Sequence, residues 1–169
     1  MPVVIKTIVP NDSALKPVVA AANFCDAYAA PLMSGILTPT EIVLRVIGAT
    51  PPWVERLMSV RNVIVRQLGL KDVGAMRGAA DKPAKAYRDG DQIGIFTIFG
   101  QTEDELVLGI NDRHLDVRVS VLKPRSDLPL SYIVSTVVTV HNWLGHIYMI
   151  PVGRIHPLVV KALMRRTIV

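Results

Sequence analysis

Hydrophobic residues recur along this chain in two rhythms, and the change from one to the other divides it. In the first half the spacing is three and four. TPTEIVLRVIG carries Thr38, then Pro39, then Glu41 three places after the threonine, which is a capping box ahead of a helix that Gly48 should end. TPPWVERLMSVRNVIVRQLG follows at once. Here Thr50 is the expected cap, Pro51 opens the helix, and Trp53, Leu57, Val60, Ile64 and Leu68 form the stripe expected to be buried, with Trp53 in the core. From Gln92 the period becomes two. QIGIFTIF (92–99), DELVLGI (104–110), RHLDVRVSVL (113–122) and SYIVSTVVTV (131–140) predict strands, and their short links predict an antiparallel meander. The run 92–99 is apolar on both faces, so helices or a second chain should cover it.

Outside these runs the signals are shorter. NFCDAYAA (23–30) predicts one more strand, with Cys25 as a core thiol. Residues 71–90 have no period and predict a long surface loop. WLGHIYMI (143–150) predicts a further strand or an extension of the preceding one. A last helix should begin near Pro157, bury Val159, Ala162 and Leu163, and place Arg165 and Arg166 in its final turn. The order is strand, helix pair, loop, meander, C-terminal helix. That is an α+β fold with a curved antiparallel sheet around the last helix.

Composition narrows the class. The 169 residues fit one domain, 1–169. Half are hydrophobic and the mean hydropathy is +0.37, enough apolar material for a core with a pocket or an oligomer interface besides. The net charge of +5 is dispersed, without a basic stripe or nucleic-acid motif, so no nucleic-acid partner is expected. The apolar run at 128–140 is too short and too interrupted to cross a membrane, and the N-terminus lacks the pattern of a signal peptide. A cytoplasmic location is expected. A single cysteine excludes an internal disulfide.

GINDRHLDVRVSV (109–121) is the stretch closest to chemistry. On a strand, Asp112, His114, Asp116, Arg118 and Ser120 share one face. They form either a salted outer face or an acid–base row in which His114 lies between carboxylates. A straight strand puts Asp112 and Asp116 about 13 Å apart, too far for one metal ion with donors at roughly 2–2.5 Å. No metal is expected, and Asp112, His114 and Asp116 stand as catalytic candidates.

PPWVERLMSVRNVIVRQLGL, RDGDQIGIFTIF, ELVLGINDRHLDVRVSV and TVHNWLGHIYMIPVGRIHPLVVKALMRR together resemble the uncharacterised-domain family 2867, over residues 24–166. The resemblance implies a START-like, helix-grip fold of the SRPBCC type. It implies no catalytic residues. Some relatives stand behind an NAD-binding Rossmann domain, but this chain has no G-x-G-x-x-G, so no dinucleotide or other cofactor is expected. In a helix-grip fold the last helix roofs a cavity, which makes His141, Tyr148 and His156 ligand-binding candidates at its mouth, with Arg118 beside them. His156, ahead of Pro157, is also the expected cap of that helix.

Three functions follow as expectations. One is a cavity that holds a small apolar or amphipathic molecule. The second is an enzyme of the same fold using His and Asp as acid and base. The third is an interaction module, a homodimer or the partner of an NAD-binding protein in trans.

Overall fold

The computed structural model describes residues 3–69, 82–125 and 130–167. Its elements are β1 (Ile5–Thr7), β2 (Phe24–Pro31), α1 (Pro39–Gly48), α2 (Pro52–Gln67), β3 (Gln92–Ile93), β4 (Phe96–Gln101), β5 (Glu105–Asn111), β6 (Leu115–Leu122), β7 (Ser131–Val140) and α3 (Trp143–Arg166), with 3-10 turns at Lys16–Ala21 and Ala84–Ala86. The strands form one seven-stranded sheet in the order β1-β2-β7-β6-β5-β4-β3, antiparallel throughout. A sheet of this kind with a long C-terminal helix across it is an α+β architecture consistent with a helix grip.

The register decides what each face carries. Asp26 pairs with Thr136, Thr136 with Val119 and Val119 with Leu108, so these four lie in one row across the sheet. Tyr28, Val134, Val121 and Leu106 form the next row on that face, and they join Ile42, Val43 and Ile47 of α1 and Val160 and Met164 of α3 in the main core. The opposite face carries Ala27, Ile133 and Val137, covered by Val9 and Leu15 of the N-terminal segment. That segment is tied down by the buried Glu105, which accepts hydrogen bonds from Ser13 Oγ at 2.6 Å, the Ala14 N–H at 2.9 Å and Ser120 Oγ.

The capping box forms as expected. Glu41 N–H donates to Thr38 Oγ1 at 3.2 Å, and Thr38 N–H donates back to Glu41 Oε2 at 2.7 Å. Four other expectations need correcting. The cap of α2 is Pro51, while the Thr50 hydroxyl turns back to the Ile47 carbonyl. The apolar stripe of α2 is not buried on the sheet: Val54, Asn62 and Val65 are the buried residues, and Trp53 is 45% exposed. The stripe instead overhangs a cavity, described below, and faces solvent beyond it. The run 92–99 is two strands, because Gly94 takes a positive φ of 59° at the first central position of a two-residue hairpin turn. Residues 143–150 are not a strand but the start of α3. The Asn142 side chain caps it by accepting the Gly145 N–H at 3.2 Å, and the helix runs through Pro151 and Pro157, each forfeiting one i→i−4 hydrogen bond.

Cys25 is exposed and not a core thiol: β2 alternation turns it to the face opposite Asp26. Of the expected loop 71–90, residues 71–81 lie outside the described residues; beyond them Asp91 is held by Lys82 at 2.6 Å and by the Arg88 N–H at 2.7 Å. By length and composition α3, unlike the run at 128–140, is a helix able to cross a membrane; Gly145, Val160, Leu163 and Met164 of α3 are buried in the protein.

Candidate functional site

Between the sheet face that carries Asp26 and the two helices α2 and α3 lies a cavity of about 400 Å³. β5 and β6 supply Leu108, Ile110, Val117, Val119 and Val121 to its floor, and β7 supplies Val134, Thr136 and Val138. Leu57, Met58, Val60, Ile64 and Val65 of α2 line one side; Val152, Ile155 and Val159 of α3 line the other. Arg61, Asp112, Thr136, Tyr148 and His156 are the polar side chains among the lining residues. The apolar row of GINDRHLDVRVSV therefore lines the cavity, and the polar row lies on the opposite face of the sheet.

His114, Asp116, Arg118 and Ser120 each have a structural partner there. His114 is buried, with Nδ1 3.0 Å from Asn142 Oδ1, so it braces the cap of α3. Asp116 pairs with His141 Nε2 at 3.1 Å. The Arg118 guanidinium lies 3.9 Å from the centroid of the Phe99 ring. Its path across β5 passes Gly109, where a Cβ would meet Val117 O at 2.5 Å and Arg118 Nη1 at 2.9 Å. Ser120 donates to Glu105. Asp112 departs from the row: it sits past the end of β5 and lines the cavity. The structure thus does not bring Asp112, His114 and Asp116 together at one cavity, and it places His141 and Arg118 outside the cavity lining.

Tyr148 and His156 do line it. The Tyr148 hydroxyl accepts Arg61 Nε–H at 3.0 Å, and the guanidinium stands 5.6 Å from the Tyr148 ring centroid. His156 is not a helix cap. It sits inside α3, because the helix starts at Trp143. Its Nδ1 is 3.0 Å from Asp26 Oδ2, and its ring meets Phe24 edge-on, centroids 5.5 Å apart. The Asp26 side chain is only 5% exposed, and its second oxygen, Oδ1, has no hydrogen-bond partner.

Sequence reasoning missed Asp26. The signal was available: a single carboxylate at the centre of the otherwise apolar NFCDAYAA, where a buried charge needs a partner. Its field reaches its neighbours. Burial first, and then Asp26, raise the Tyr28 phenol above its ordinary value; the same two causes raise the Cys25 thiol. Among the described residues no group of three His, Cys, Asp or Glu side chains is placed to hold a metal ion.

A family model described as Protein of unknown function (DUF2867) matches residues 18–163. No curated protein and no solved structure matches the chain.

Proposed function

The chain belongs to the DUF2867 family of proteins of unknown function, and from that premise we propose that it binds a small apolar or amphipathic molecule between its sheet and its C-terminal helix, in the manner of a START-like domain. The observation that carries this reading is the cavity of about 400 Å³, whose lining is apolar except for Arg61, Asp112, Thr136, Tyr148 and His156. Ligand sites of roughly 300–1,000 Å³ are typically apolar with a few placed polar groups. The polar groups here stand apart in the fold: Arg61 on α2 and Tyr148 in the first turns of α3 make one set, and His156 with Asp26 makes another. An amphipathic occupant suits that arrangement.

Native mass spectrometry of the purified protein, followed by denaturing extraction, tests this. The expected result is a non-covalent adduct that leaves on denaturation and contains an apolar small molecule. A protein that carries no adduct and takes up no apolar probe when one is supplied overturns the reading.

A second reading has its own observation. Trp143, Ile147, Ile150 and Leu158 of α3 are all exposed, from 50 to 71%. An apolar row of that kind on a helix is suited to isologous pairing with a second copy of the chain.

A further inference from the structure

The Asp26–His156 pair differs from the other polar contacts of this molecule in where it stands. Asp116–His141 and His114–Asn142 lie away from the cavity, but His156 is part of its wall. The imidazole is fixed from two sides, by Asp26 Oδ2 at Nδ1 and by the edge-on Phe24 ring. A carboxylate at Nδ1 takes the N–H of the neutral ring and thereby chooses the tautomer. Nε2 is then the nitrogen that bears the lone pair, and among the described residues no side chain or backbone group bonds to it. Asp26 is buried and its Oδ1 has no hydrogen-bond partner, so removal of the imidazole would leave a charge short of partners in an apolar wall.

We propose that Asp26 and His156 form the polar anchor of the cavity, a site for a single hydroxyl group on an otherwise apolar ligand. This rests on the cavity reading above and adds the ligand's chemical class. Nε2 with a lone pair accepts from an O–H donor, such as an alcohol or a phenol. An ether or ketone offers it nothing. A carboxylate would set a second negative charge beside Asp26 in a low-dielectric wall, where like charges repel strongly. Asp26 touches no ligand in this arrangement; it is a positioning residue that acts through the ring.

The probes are three naphthalenes of nearly one shape: 2-naphthol, 2-methylnaphthalene and 2-naphthoate. Affinities for the full chain are measured at neutral pH by calorimetry or fluorescence, with wild type and His156→Phe. The preference for naphthol over methylnaphthalene should be roughly three- to tenfold larger in wild type than in the variant, the range one neutral hydrogen bond supplies. Comparing the two proteins removes the difference in water solubility between the probes. Because His156→Phe strands Asp26 and can impair folding, a wild-type measurement stands beside it. The His156 ring nitrogen-15 resonances should move on addition of 2-naphthol and stay in place with 2-methylnaphthalene.

If methylnaphthalene binds and no hydroxyl preference appears, or if naphthoate binds best, the anchor is overturned while the cavity reading survives. If no probe binds, both fall.

Discussion

Tyr132 carries a hydroxyl that nothing among the described residues answers. The side chain is almost wholly inside the core, its oxygen has no hydrogen-bond partner, and burial pushes the phenol well above its ordinary value. A buried hydroxyl that forfeits water and gains no partner is a net loss. Tyr132→Phe keeps the ring and removes the orphan, so it should stabilise the protein by about 1 kcal/mol in urea denaturation. A loss of stability instead would mean that the hydroxyl is bonded in solution. The alkaline limb sharpens this. The folded phenol titrates above the unfolded one, so its contribution is complete below about pH 10 and is lost as the pH rises beyond that. Wild type should therefore fall away faster than Tyr132→Phe above about pH 10, whereas Tyr28, also raised, is common to both and cancels in the difference. At this scale the sequence was half legible. Alternation correctly sorted Asp116, Arg118 and Ser120 from Val117, Val119 and Val121. It could not say which face looked into a cavity, because period two treats both faces alike. Asp26 stands out as a lone carboxylate among apolar residues, but its partner could not be read: His156 is 130 positions away, and only the crossing of α3 over β2 brings it near.

The elements were read best where a local signal was sufficient. Thr38, Pro39 and Glu41 act within one turn, so the start of α1 was plain. The meander followed from alternation and short links. The failures lie where a local rule competed with tertiary contact. Pro151 and Pro157 argue against a helix through them, and WLGHIYMI is apolar enough to pass for a strand. Packing outweighs both: Gly145 lets α3 approach the β5–β6 turn, where a Cβ would meet His114 O at 2.4 Å, and Asn142 caps the start. The stripe of α2 was real, but it overhangs the cavity instead of closing on the sheet. The exposed row on α3 belongs to this scale too. If it pairs two copies, Ile147→Glu, which adds a charge at a half-exposed position, should convert a dimer to a monomer and leave the unfolding free energy of the folded chain within about 1 kcal/mol of wild type. Light scattering after gel filtration reads the change. A wild-type chain that stays monomeric at high concentration removes the pairing.

At the scale of the whole molecule the cavity has to be reconciled with marginal stability. A dry void of about 400 Å³ would cost on the order of 10 kcal/mol at the rate seen for cavities left in cores. That is comparable to the whole free energy of folding of a typical domain. A space of this size is therefore filled, by an occupant, by water or by collapse of its own walls, and these alternatives predict opposite responses to added bulk. Val119 and Val134 stand on neighbouring strands with side chains on the cavity face. Val134→Phe would extend a ring into the space. If the cavity is open in solution, the ring gains apolar burial without displacing core atoms; the unliganded protein should melt no lower than wild type, and capture of 2-methylnaphthalene should fall by at least tenfold. If the walls have closed, the same ring overpacks them and should destabilise the protein by about 1–3 kcal/mol. The sign of the stability change separates an open cavity from a collapsed one, and the paired loss of probe binding ties the open space to the site that holds the ligand.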